Sequence, residues 1–525
     1  MNNQQWIERN RRYTMVCPKS GFTFSAAGMK FEQNQLDALK DKFAAAHIEM
    51  KKIVAGEIKN PDEQRQVTHF SDRLEYRSSV LFNEVEQFAE ALRSGKILGM
   101  TGKKIDAAII NGIGGSALGP QLMNYAINGP YWNELSGAQR RDFLKIYFLD
   151  NTDPAGFADV TQVIDPETTL VVNISKSGGT QETKNNAIAL QNFYKAKKID
   201  YSQHFTAITM SGSTLDQQAR SEKWLKVFEM AESIGGRTSE TSVVGHLPAA
   251  LAGIDFAAFL DGACTMDNWT RLPRIEKNPA YLMSAMWYIA GNGRGDRNAV
   301  IVPYSDRLLL LSRYFQQLIM ESLGKELDLD GKVVHQGLNV FGNKGGTDAH
   351  AFIQQLNDGR DDFFVTFIEV LKNAMSLPIN KDMEMGDYLH GFREGLSAAL
   401  RSKGRQAMQI TISEISPFNL GMIIALYERA VAVYAELIHV NAFHQPGVQA
   451  YKLAAGNILE LRAHVMAGLE NLDFGGSAAE IAQKLGVPES KIEIGSLLDK
   501  AAANNHSVKR EWNSTNKNWV YTTAD

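Results

Sequence analysis

The sequence predicts an α/β protein built from two tandem parallel sheets flanked by helices. From about residue 105, short apolar runs alternate with polar or glycine loops and helical stretches, and after one long helical stretch the same rhythm starts again. The length agrees, because 525 residues exceed a single average domain of roughly 100–200.

The first 95 residues precede the sheets. Stretches such as "QNQLDALKDKFAAAHIEMKKIVAGEI" carry mixed charge at helical spacing and predict an N-terminal helical segment over 1–95. Residues 96–270 form the first α/β domain, its strands read in "AAIIN", "KIYFLD", "TLVVNIS" and "FTAITMS". The helical stretch "NPAYLMSAMWYIAG" opens the second domain, 271–455, with strands in "NAVIVPYSD", "GLNVFGN", "FFVTFIEV" and "QAMQITISEIS". A long apolar helix is expected at about 416–440, and another opens at Pro446, a residue favoured at the first helical position. In the tail, 456–525, two short helices surround a Gly-Val-Pro turn and "VKREW" and "WVYTT" follow, a winged-helix-like pattern.

Composition excludes several classes of function. Hydrophobic residues are 44% of the chain and charged residues 22%, proportions that exclude a disordered or fibrous protein. A formal charge of −4 supplies no general field for nucleic acid. From Ser477 onward, six Lys and Arg from Lys484 to Lys517 are balanced by six acidic residues from Glu480 to Asp525, so this part reads as a structural appendage with no electrostatic footprint for DNA. The N-terminal "MNNQQWIERNRRYTM" lacks the apolar core of a secretory signal, and charge interrupts "NLGMIIALYERAVAVYAELI" before a membrane span accumulates. Cys17 and Cys264 are too few for a disulfide framework and lack zinc-ligand spacing, which fits a cytoplasmic setting and no metal.

Two loops invite an anion. In "AAIINGIGGSALGPQ", Gly112, Gly114 and Ala117 match the G-x-G-x-x-G/A spacing of a dinucleotide site, open between NAD and a smaller phosphate. The acidic residue that a ribose would need comes late, at Asp150. In "VVNISKSGGTQET", Ser175, Lys176, Ser177 and Thr180 sit between a strand and a helix starting near Thr180. Hydroxyls, an ammonium and free helix amides suit a compact phosphate dianion, while the plainer alternative is a Ser/Gly turn with a Thr N-cap. Arg313, Gln317 and Glu321 recur every four residues and lie on one helical face, either as a functional row or as a solvated stripe.

The order and distances of "GIGGSALGP", "SKSGGTQET", "ESIGGRTSETSVVG", "MESLGKE", "GGTDAHAF" and "NAFHQPGVQAYK" resemble the glucose-6-phosphate isomerase family from about residue 100 to 455. The resemblance implies two flavodoxin-like sugar-isomerase (SIS) domains, and interconversion of glucose 6-phosphate and fructose 6-phosphate, in glycolysis and gluconeogenesis, without metal or coenzyme. It places the phosphate on Ser175, Lys176, Ser177 and Thr180, with Gly115 and Ser116 beside the sugar. It makes Glu321 the base between C1 and C2, with Gln317 contacting substrate and Arg237 facing the enediolate oxygens. It assigns ring opening to His350 and Lys452 and a substrate contact to Gln445, on the helix face that also carries Gln449. A homodimer is implied in which His350 reaches the neighbouring subunit's site. This chain departs from the family at Thr238, where an aromatic residue is usual, and at Leu323, where Asn is usual, the latter expected to change packing only. The alternatives are a dual phosphoglucose/phosphomannose isomerase, from which Gln445 leans away, and a non-catalytic sugar-phosphate sensor.

Overall fold

The run Ala107–Asn111 is buried at every position, apolar up to Asn111, as a strand covered by helices on both sides must be. The computed structural model describes residues 3–471, 475–504 and 507–523. It divides into two compact units, Met1–His444 and Gln445–Asp525.

Among the described residues the first unit holds two large sheets, besides two small two-stranded ones. At the chain's start lie β1 (Thr14–Val16) and β2 (Thr23–Ser25). Next come β3 (Ala107–Asn111), β4 (Lys145–Leu149), β5 (Thr169–Ile174), β6 (Phe205–Thr209) and β7 (Lys226–Glu229). These five form a parallel sheet in the order β4-β3-β5-β6-β7, the 2-1-3-4-5 order of flavodoxin-like folds, whose ligands sit at the carboxyl ends of the strands near the switch of direction.

Strands β8 (Asn298–Pro303), β9 (Val340–Gly342), β10 (Phe363–Val370) and β11 (Ala407–Ile412) build the second sheet, β9-β8-β10-β11, also parallel. Its far edge is completed by β2, antiparallel to β11, and then β1. The N-terminal segment, read from its charge pattern as helical, therefore also covers what would be an exposed edge of the second sheet.

The helix Pro417–Leu437 is buried along nearly its whole length, which explains its apolar reading, and Ser416 caps it by accepting from the Asn419 amide. The charges that interrupt it are internal: Glu428 lies 2.7 Å from Arg73, and Asp267 lies 3.2 Å from Arg73 and 3.3 Å from Arg429. Among the described residues no helix is long and apolar enough to cross a membrane.

The second unit opens with the continuous helix Pro446–Asn471. Helices Ala478–Lys484 and Lys491–Ala503 follow, with a three-stranded antiparallel sheet of β12 (Gly475–Ser477), β13 (Val508–Asn513) and β14 (Asn518–Thr523). Val465, Ile481, Ile494, Leu498 and Tyr521 give it a core of its own.

Candidate active site

The glycine loop after β3 owes its composition to a neighbouring backbone. A Cβ at Gly115, the first residue of helix Gly115–Ile127, would lie 1.9 Å from the Gly236 carbonyl oxygen and 2.8 Å from the Arg237 nitrogen. Only glycine lets these two chain segments meet. Ser116 is half-buried beside it, and the Gln317 amide nitrogen lies 3.0 Å from where a Gly114 side chain would begin. Asp150, the late acidic candidate for a ribose, accepts from Gln121 at 2.8 Å.

The Ser/Gly loop after β5 leads into helix Gln181–Ala196, with Thr180 at its N-cap position but its hydroxyl not capping. That hydroxyl accepts instead from Ser175 Oγ at 3.1 Å, and Ser177 Oγ accepts from the Gly179 amide at 3.2 Å. Three hydroxyls thus gather at the positive end of a helix dipole. Gly178 has φ +70°, and a Cβ there would fall 2.4 Å from the Leu215 nitrogen. The Lys176 ammonium points to the next segment, donating to the carbonyls of Glu232 and of Ile234, the latter at 3.1 Å. Burial, and secondarily the Arg65 charge, lower its pKa to about 8.

Arg237 joins these loops to the second sheet's side. Its guanidinium is buried and held by its surroundings: Nε donates to Ser322 Oγ at 2.7 Å, and Nη2 donates to the carbonyls of Ala442 and of His444, the latter at 3.3 Å. Burial lowers its pKa and Glu321 opposes that shift; a guanidinium stays charged throughout. Nη1 lies 3.5 Å from Glu321 Oε1, longer than a good hydrogen bond. The carboxylate therefore lies in the cation's field as an ion pair without a close hydrogen bond.

Glu321 and Gln317 lie on a stretch, Gln316–Glu321, where the helix widens to i→i+5 hydrogen bonding, a distortion frequent at functional sites. The Glu321 side chain is 17% exposed, whereas Arg313, 58% exposed, pairs with Asp150 at 3.6 Å. The three do not form a solvated stripe. Leu323 is fully buried and Thr238 donates to the Gly235 carbonyl at 3.2 Å, so both departures from the family pattern are absorbed by packing.

The 232–237 segment is thus the hub: it touches the glycine loop through Gly236, the Ser/Gly loop through Lys176 and the Glu321 helix through Arg237. His350 is not part of this cluster; it ends the short helical turn Thr347–His350 and is exposed. Gln445, Gln449 and Lys452 belong to the second unit, Gln445 as its first residue and the others on helix Pro446–Asn471. Sequence reasoning missed Ser322 and Lys325. Lys325 donates to the carbonyls of Glu321 and Ser322 at 2.7 and 2.8 Å, and its proximity to the matched Glu321 was the only signal.

A family model described as phosphoglucose isomerase matches residues 27–391 and 395–479. A protein of Geobacter sulfurreducens named glucose-6-phosphate isomerase is 43% identical over 526 residues, spanning 97% of this chain and 98% of its own length. A Synechococcus protein of the same name is 46% identical, spanning 88% of each. The crystal structure of a glucose-6-phosphate isomerase from Chlamydia trachomatis is similar with a TM-score of 0.76 at 27% identity, covering 87% of this chain and 91% of its own.

Proposed function

This chain belongs to the phosphoglucose isomerase family, and on that premise we propose that the Arg237–Glu321 pair carries its chemistry. The chain is an aldose–ketose isomerase that interconverts glucose 6-phosphate and fructose 6-phosphate. The observation that carries the assignment is a carboxylate paired at 3.5 Å with a buried cation that its surroundings hold in place. In the open-chain aldose, Glu321 takes the proton from C2 and the C2–H electron pair forms the C1=C2 bond of a cis-enediolate. Arg237 stabilises charge developing on its oxygens. As the C1=C2 bond forms, the C1=O pair moves onto O1; the O2 hydroxyl proton passes to O1, and Glu321 returns its proton to C1 as the O2 pair forms the C2=O bond of the ketose. The turnover of fructose 6-phosphate, coupled to NADP reduction by glucose-6-phosphate dehydrogenase, tests the activity, and mannose 6-phosphate run beside it tests the dual-specificity alternative. No turnover of either by folded protein would leave the sensor reading.

Residues 96–270 bind the phosphate in this scheme and 271–455 supply the base, with Gln317, Gly115 and Ser116 beside the sugar. Ring opening is assigned to His350 and Lys452 and a substrate contact to Gln445, as the resemblance implies. We place the enzyme in the cytoplasm, in keeping with Cys17 and Cys264 being unpaired. Neither nucleic acid, membrane, metal nor coenzyme enters the proposal.

Replacing Ser175, Ser177 and Thr180 together by Ala is expected to raise KM for fructose 6-phosphate and weaken 6-phosphogluconate binding by at least about tenfold, the cost of losing even one donor to a charged group at about 1.5–3 kcal/mol. Turnover falls less, through lost positioning. Equal affinity in mutant and parent would move the phosphate elsewhere.

A homodimer with shared sites is supported by the exposure of His350 and of the large apolar side chains Leu371, Met375, Ile379 and Met385. After mixed dissociation and reassociation, inactive His350→Ala and Glu321→Gln chains are expected to recover about a quarter of wild-type activity, because about half the dimers are hybrids with one intact site of two. No recovery from a demonstrably mixed population would withdraw the shared site.

A further inference from the structure

Lys325 lies just past the helix that carries Glu321, beyond an exposed Gly324, and is itself buried. Its ammonium folds back to the helix end, donating to the Glu321 carbonyl at 2.7 Å and the Ser322 carbonyl at 2.8 Å. These last-turn carbonyls have no partner within their own helix, and a cation there also answers the negative end of the helix dipole. The two residues it holds do different things: one bears the carboxylate, and the hydroxyl of the other accepts from Arg237 Nε at 2.7 Å.

We propose that Lys325 is a positioning residue for the isomerisation, one ammonium fixing at once the backbone of the base Glu321 and, through Ser322, the guanidinium of Arg237. The inference rests on Glu321 being the base. The charged groups facing Lys325 are Arg237, Glu321 and, on the segment that leads out of the first unit, His444, which itself has Asp62 at 3.5 Å. Burial, with the Arg237 charge adding to it and Glu321 opposing it, lowers the Lys325 pKa to about 7. The sign follows: the clamp is charged below about pH 7 and loses its proton as pH rises, so this group contributes an alkaline limb to kcat/KM, which reports the free enzyme.

The test is the pH profile of Lys325→Met and Lys325→Arg with fructose 6-phosphate. Lys325→Met is expected to lower kcat by about 10- to 100-fold, the cost of a base displaced by about an ångström, with KM changed less than about threefold. Lys325→Arg, which cannot lose its charge, is expected to recover most of kcat and to carry the alkaline limb to higher pH. A folded Lys325→Met enzyme with wild-type kcat overturns the proposal. So does a Lys325→Arg enzyme whose alkaline limb coincides with the wild type's, because a merely structural lysine would leave the limb in place. If Lys325→Met does not fold, the Lys325→Arg profile decides alone; if that variant too is unfolded or inactive, Lys325→Gln, which keeps an N–H donor, must show no alkaline limb in this range, and retention of the limb overturns the clamp. Glu321→Gln run in parallel separates the premise: wild-type turnover there removes the base itself, whereas its loss beside an unaffected Lys325→Met removes only the clamp.

Discussion

Glu321→Gln is expected to lower kcat by about 10²–10⁴, the range for loss of a positioned general base. Glutamine preserves the length and the planar head of the side chain, so the packing around this 17% exposed group is little disturbed. It removes the basic oxygen and the charge that faces Arg237 at 3.5 Å. The substrate's phosphate is assigned to a different sheet's loop, so KM is expected to stay within a few-fold, and a fall in kcat and kcat/KM together marks an interaction made at the reacting carbons. Steady-state kinetics on protein with an unchanged melting temperature checks this.

Arg237→Met is expected to lower kcat by about 10²–10³, as does removal of a donor aimed at developing oxyanion charge. Arg237→Lys is not expected to restore it. The guanidinium reaches Ser322, the carbonyls of Ala442 and His444 and the neighbourhood of Glu321 at the same time, and a single ammonium on a flexible stem cannot reproduce that fork. Because the same contacts fix the 441–444 segment, some loss of stability accompanies either change, and kcat is to be compared well below the variants' melting temperatures. Arg237→Lys with near wild-type kcat would show that charge, not directed geometry, is what the site needs.

Much of this was legible in the sequence because parallel strands covered on both faces are short, mainly apolar runs, and β3, β5 and β6 carry that mark, buried at every position with only Asn and Thr breaking it. Strands β1 and β2, of three residues each, left no such mark. β2 is a strand because β11 offers an edge that lies hundreds of residues away in the chain, a pairing with no local signal, and β1 pairs in turn with β2. The motifs located Glu321 and Arg237, but not why Arg237 is reliable: its partners come from residues 322, 442 and 444, joined only by folding. The glycine loop is the instructive case. Its spacing matches a dinucleotide site, yet at Gly115 the requirement is the Gly236–Arg237 backbone pressed against it, a contact invisible to local pattern. Lys325 escaped for the complementary reason, since a lysine three and four residues past a helix's last carbonyls reads as surface until its burial is seen.

The central claim, that Glu321 moves hydrogen between C1 and C2 beside Arg237, is tested most directly by following label from C2 of glucose 6-phosphate in wild type and in folded Glu321→Gln. One carboxylate that takes and returns the proton predicts that the wild type delivers part of the label to C1 of fructose 6-phosphate and the rest to water, and that both routes slow in Glu321→Gln by the same factor as turnover. Label leaving C2 at the wild-type rate in the folded variant would contradict the account and place the base elsewhere.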